Sequence, residues 1–131
     1  MSALRVLYVD DEPDIREVAA MSLELDREIA VRTAESGAEA IAMIVGGDWE
    51  PDVVLLDVMM PEMDGPGVLK ALREMPGTAD TPVVFITARA QSHERGRLIG
   101  LGAAGVITKP FDPMLLAKDL RAVLAASTLA A

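Results

Sequence analysis

The chain has 131 residues, 21 of them acidic against 12 Lys or Arg, for a net charge of −9, and 51% of it is apolar. So apolar a composition excludes disorder, and the negative charge opposes binding to DNA, RNA or anionic lipid. Without cysteine there can be no disulfide, thiolate metal site or cysteine nucleophile.

The length fits one domain, on a norm of about 100–200 residues, expected over 1–131 with its core over 4–125. No apolar run approaches the roughly 20 residues needed to span a bilayer. Nor does the chain open on a basic segment and an apolar h-region, so a cytoplasmic protein is expected.

Leu4–Val9 is a short apolar run rich in β-formers, closed by Asp10, Asp11, Glu12 and Pro13. Ile15, Val18, Ala19, Ser22 and Leu25 then recur at helical spacing. Ile29–Thr33 is a second extended run. Ser36-Gly37-Ala38-Glu39 has the form of a capping box, which predicts a helix from there to Val45, stopped by Gly46 and Gly47. Val53–Leu56 reads as a strand buried on both faces. Val68, Leu69, Leu72 and Met75 follow at helical spacing, and Pro82–Ile86 is another buried strand. A weak helix carrying Gly96 and Gly100 comes next, then a short strand, Gly105–Thr108. Asp112 and Pro113 read as an N-cap and a first-turn proline. Leu116, Leu120, Val123 and Leu124 carry the last helix, and Ala125–Ala131 reads as a fraying tail.

Five repeats of strand then helix predict a five-stranded parallel sheet covered on both faces, a doubly wound three-layer αβα sandwich. In such sheets ligands bind beyond the carboxyl ends of the strands, near the point where strand order reverses. The chemistry at those ends is therefore the place to look. The first strand ends in Asp10, Asp11 and Glu12, the third in Asp57, the fourth in Thr87 and the fifth in Lys109.

Converging carboxylates repel one another and raise each other's pKa. A hard divalent cation resolves that conflict, and Mg²⁺ prefers oxygen ligands, uses one or two carboxylates and keeps several waters. A lysine at the same rim neutralises a phosphoryl oxygen as a point charge, and the Thr87 hydroxyl can donate to another. With no cysteine present and His93 away from the strand ends, Asp57 is the expected nucleophile, since carboxylates form acyl-phosphates. Positioning and charge neutralisation are then the protein's remaining tasks.

Four segments together, Val6–Pro13, Leu55–Gly65, Ile86–Ala88 and Lys109–Phe111, resemble the receiver domain of two-component response regulators, over about residues 4–125. The resemblance implies the flavodoxin-like receiver sandwich. It implies Asp57 as phospho-acceptor from a phosphohistidine on a sensor histidine kinase. It further implies Mg²⁺ held by Asp11, Asp57 and the Met59 backbone carbonyl, with Asp10 helping through water. Thr87 and Lys109 would bind the phosphoryl oxygens, and the Lys109–Pro110 bond would be cis. Met59 and Arg89 occupy positions that tune how water reaches the phosphoryl group. Such a protein is a phosphoacceptor and not an enzyme acting on a separate substrate.

One departure stands out. Many family members carry an aromatic three residues before the lysine, which swings inward on phosphorylation; here Val106 occupies that position. A valine cannot make the same swing, which puts coupling to a downstream partner on the fourth helix–fifth strand–fifth helix face in doubt. Gly96 and Gly100 offer another route, through movement or partial melting of the fourth helix.

The chain ends soon after the last helix, so a stand-alone regulator is expected, signalling by protein–protein contact or draining phosphate from its kinase. Val106 tilts the expectation toward the sink. Arg89, Arg95 and Arg97 read as a solvated face, His93 as an ordinary exposed side chain, and Met59, Met60 and Met63 as part of a kinase-docking surface. The alternative function is an aspartyl-phosphate-forming, Mg²⁺-dependent hydrolase. Such enzymes place the nucleophile after the first strand with a second Asp two residues on, and here Glu12 occupies the second position. A flavodoxin-like FMN carrier fails, because the acids over Asp10–Asp14 would repel its phosphate.

Overall fold

The computed structural model describes residues 3–130. Its strands are β1 (Leu4–Val9), β2 (Ile29–Ala34), β3 (Val53–Asp57), β4 (Val83–Thr87) and β5 (Gly105–Thr108). Its helices are α1 (Pro13–Glu24), α2 (Gly37–Val45), α3 (Gly65–Glu74), α4 (Ser92–Gly100) and α5 (Leu116–Ala130). The strands form one parallel sheet in the order β2-β1-β3-β4-β5. Chain order reverses between β1 and β3, so their carboxyl ends flank the crevice where this architecture binds ligands.

Every residue of β3 and β4 is buried, as expected of strands covered on both faces. Successive side chains point to opposite faces. Leu7, Val9, Val54, Leu56, Phe85 and Val106 therefore pack under α2, α3 and α4. Val6, Tyr8, Leu55, Val84, Ile86 and Ile107 pack under α1 and α5. Trp49, ahead of β3, packs partly into the first of these layers and carries the Arg32 guanidinium over its ring, 5.0 Å from the centroid. No described helix is long and apolar enough to cross a membrane.

Local chemistry explains the starts of α2 and α3 and the end of α3. Ser36 accepts from the Glu39 N–H at 3.0 Å, as a capping box requires, but Glu39 reaches back to the Glu35 N–H rather than to Ser36 itself. Asp64 caps α3 by accepting from the Gly67 N–H at 2.9 Å. A 3₁₀ turn over Pro76–Thr78, not visible as a sequence pattern, closes α3: the buried Thr78 hydroxyl donates to the Leu72 carbonyl at 2.7 Å.

Two expectations are corrected. Asp112 and Pro113 do not open the last helix. The Asp112 side chain accepts from the Met114 N–H and its carbonyl from the Leu115 N–H, which makes a turn, and α5 starts at Leu116. The expected tail from Ala125 continues instead as α5 through Ala130, in keeping with the high helix propensity of alanine; Ala131 lies outside the described residues. α4 is as weakly anchored as its sequence suggests. Only Leu98 among its residues is buried, and a Cβ added at Gly96 or Gly100 would meet no atom within 4 Å.

Candidate functional site

Register brings the strand ends together. Val9 pairs with Leu56 and Asp57 with Ile86, so Asp10, Asp57 and Thr87 emerge side by side. Thr87 pairs with Thr108, and the Lys109 N–H donates to the Thr87 carbonyl at 2.8 Å, which fixes the start of the next loop. The Lys109–Pro110 bond is cis. Gly65 opens α3 against the loop after β3: its N–H donates to the Val58 carbonyl at 2.9 Å, and a Cβ there would lie 2.6 Å from the Asp57 carbonyl oxygen. Only glycine allows that approach.

Asp10, Asp11 and Asp57 each present a carboxylate oxygen, all within 4.8 Å of one another. Asp10 and Asp57 are buried; Asp11 is partly exposed, and among the described residues no donor reaches its carboxylate. The Lys109 ammonium stands among the acids, 2.9 Å from Asp10 Oδ2 and 3.5 Å from both Asp57 Oδ1 and Glu12 Oε1. Burial pushes the Asp57 carboxyl up to about 6, reinforced by the Asp10 charge; Lys109 and the Met59 N–H hold it back only in part. For Lys109, burial acts to lower the pKa, but Asp10, Asp57 and Glu12 together raise it above the usual lysine value.

The donor set is all oxygen, one acid is unpaired, and a single lysine faces four acids. That fits a hard divalent cation, the choice of this class of site. Thr87 is buried, and its Oγ1 accepts from the Arg89 N–H at 3.0 Å. A hydroxyl that accepts one bond keeps its own hydrogen free to donate. Met59 is 73% exposed at the rim.

The site also uses residues that the sequence reading passed over. Tyr8, buried under α1 and α5, donates its hydroxyl to Asp10 Oδ2 at 2.9 Å. It lies two residues before Asp10 on a strand, hence on the same face, which is the signal that points to it. The Glu12 N–H donates to Asp10 Oδ1 at 3.0 Å, and Arg16 Nη1 to the Asp10 carbonyl at 2.8 Å, tying α1 to the site.

The methionine surface is smaller than expected: Met60 is buried in the core and Met63 packs against it, which leaves Met59 alone in the open. Val106 is buried in the layer under α2, α3 and α4, and Arg95 Nη1 approaches its carbonyl at 3.5 Å. Arg97 pairs with Glu94 at 2.6 Å on the surface of α4, where His93 is also exposed, and Arg89 is exposed in the loop after β4.

A doubly wound five-stranded sheet with three carboxylates and a lysine at its switch point defines an α/β sandwich of the receiver type. The family model described as "Response regulator receiver domain" matches residues 6–121, and the chain belongs to that family. The chemotaxis response regulator CheY4 of Vibrio cholerae is 34% identical, with a TM-score of 0.83 over 94% of this chain and 99% of that one. The phosphate regulon transcriptional regulatory protein PhoB of Pseudomonas aeruginosa is 38% identical over 91% of this chain and 51% of its own length. The transcriptional regulatory protein TrcR of Mycobacterium tuberculosis is 39% identical over 97% of this chain and 48% of its own. The chain thus spans about half the length of the curated relatives it matches.

Proposed function

We propose that Asp57 accepts a phosphoryl group from a phosphohistidine of a sensor histidine kinase in a Mg²⁺-dependent reaction, and that the chain signals through the phosphorylated form. The observation that carries this is the Lys109 ammonium 3.5 Å from Asp57 Oδ1, beside three carboxylates within 4.8 Å of one another. One Asp57 oxygen attacks phosphorus, the phosphorus–nitrogen bond breaks, and the imidazole leaves with the electron pair. Asp57 attacks as the carboxylate, and with its pKa near 6 most of it is ionised at neutral pH.

Lys109 and the free hydrogen of Thr87 take two of the phosphoryl oxygens, in keeping with the family resemblance. Asp11, Asp57 and the Met59 carbonyl would hold Mg²⁺, with Asp10 acting through water. The cation, when bound, supplies positive charge to offset the carboxylates and the incoming phosphoryl oxygens.

The phosphodonor must bring its phosphorus to Asp57, so it must cover the rim. An apolar groove lies there against Lys109, lined by Ile15, Val18, Phe111 and Pro113, with exposed Met21, Met114 and Leu115 on the same two elements. That surface supports a protein donor. Output through the α4–β5–α5 face, or service as a phosphate sink, are the two roles to separate; buried Val106, which has no aromatic swing, favours the sink. The charge of −9 opposes contact with nucleic acid and anionic membranes, which supports output through proteins.

Intact-mass spectrometry after incubation with Mg²⁺ and acetyl phosphate tests the reaction. A single phosphoryl adduct, lost with a chelator and in Asp57→Asn, is the expected result. No adduct with any donor would overturn the proposal.

A further inference from the structure

The phosphoacceptor reading accounts for Asp10, Asp11, Asp57, Thr87 and Lys109 and leaves Tyr8 unused. Tyr8 is fully buried, and a phenylalanine ring would fill the same apolar space under α1 and α5. Its hydroxyl reaches one partner, Asp10 Oδ2 at 2.9 Å, and that oxygen also holds the Lys109 ammonium at 2.9 Å. Asp10 Oδ1 is occupied separately by the Glu12 N–H. Oδ2 therefore has two side-chain donors, of which one, Lys109, is 12% exposed at the mouth of the site and the other is sealed in the core.

A phosphoryl group arriving at Asp57 draws the ammonium toward its oxygens. If Lys109 were the sole side-chain donor to Oδ2, its departure would leave a buried carboxylate oxygen unsatisfied, which is costly. Resting on the phosphoacceptor reading, we propose that Tyr8 is a positioning residue: its hydroxyl holds Asp10 from inside the core while Lys109 changes partner from Asp10 to the phosphoryl oxygen. Tyr8 touches no substrate. It lowers the cost of the lysine's exchange and keeps Asp10 in its rotamer while that exchange happens.

The test uses beryllofluoride with Mg²⁺ as the phosphoryl mimic, followed by amide NMR, on the full chain and on Tyr8→Phe, Lys109→Ala and the double variant. Tyr8→Phe should weaken beryllofluoride binding about five- to tenfold, the scale of one hydrogen bond to a charged group. Its affinity for Mg²⁺ alone should change by less than about twofold, because Lys109 stays on Asp10 in that state. In the Lys109→Ala background there is no exchange to assist, so Tyr8→Phe should have no further effect on beryllofluoride binding. The Tyr8 hydroxyl proton should remain protected and downfield when beryllofluoride is added to the unsubstituted protein.

Equal affinity in the unsubstituted protein and Tyr8→Phe overturns the proposal and leaves the phosphoacceptor reading standing. The same loss with and without Lys109 also overturns it, since the hydroxyl would then act only on general packing. If neither beryllofluoride nor acetyl phosphate engages Asp57 in the unsubstituted protein, the phosphoacceptor reading falls and takes this proposal with it.

Discussion

Asp57 should destabilise the cation-free protein, and removing its charge should make the protein more stable. Its pKa is about 6 when folded against an ordinary value of 3.8, because burial and the Asp10 charge disfavour the ionised form. The folded state thus holds this proton more tightly than the unfolded state, and stability falls as pH rises between the two values. At pH 7 and above the full shift of about two pKa units corresponds to about 3 kcal/mol. In Asp57→Asn that penalty disappears, less whatever is lost when Lys109 gives up its 3.5 Å partner. A net gain of about 1–3 kcal/mol follows, or roughly 3–9 °C in Tm for a domain of this size.

The assay is urea unfolding of both proteins in chelator across the acid-to-neutral range. Between about pH 4.5 and pH 7.5 the advantage of Asp57→Asn should grow by about 2 kcal/mol, following the titration of this one carboxylate. Saturating Mg²⁺ should erase much of it, because a ligand that binds the folded site stabilises the unsubstituted protein by mass action. An advantage that does not depend on pH, or no advantage at all, would refute the argument that uncompensated charge at Asp57 is held in place by the fold.

Gly96→Ala should stabilise the protein by about 1 kcal/mol, since nothing lies within 4 Å of the added Cβ and the helix gains propensity. Amide exchange over Gln91–Leu101 should slow in this variant and change on phosphorylation of the unsubstituted chain; unaltered exchange in both comparisons would remove α4 as a mobile element. Gly65→Ala should cost about 1–3 kcal/mol in urea unfolding, because its Cβ would meet the backbone of Asp57 and Val58. Glu62 sits at φ 67, with the Met63 N–H bonded to the Pro61 carbonyl at 2.7 Å. Asparagine tolerates the left-handed region better, so Glu62→Asn should raise stability by about 0.5–1 kcal/mol, read from the thermal midpoint.

The strands were legible in the sequence because a parallel sheet covered on both faces needs unbroken apolar runs, and Val53–Leu56 has no other reading that fits its length. Their ends moved by a residue. Pro82 lacks an N–H for the ladder, so β4 starts at Val83, while its carbonyl still accepts from Val54. The helices were legible where one face is buried, and their boundaries less so. Asp112 and Pro113 suit a helix start and a turn equally well, and only the tertiary path of the chain into α5 decides between them.

The residues gathered at the strand ends were legible because topology delivers them there. Their supporting contacts were not. Arg16 reaches the Asp10 carbonyl from α1, across a helix–strand distance that no spacing rule encodes. Met60 and Met63 turn inward because the loop after Asp57 is pulled against Gly65, and side-chain direction in an irregular loop has no period to read.

The chain has one tryptophan and one tyrosine, and the fold sends them to opposite faces of the sheet. Trp49 precedes the start of β3, stacked on Arg32, while Tyr8 lies near the end of β1 against Asp10. The sheet itself lies between them, since Trp49 packs into the layer under α2, α3 and α4 and Tyr8 into the layer under α1 and α5. Indole emission should therefore follow the melting of the domain and stay silent as the carboxylates load, whereas tyrosine absorbance should respond to loading before anything melts. A single unlabelled sample can thus report folding and occupancy on two separate optical channels.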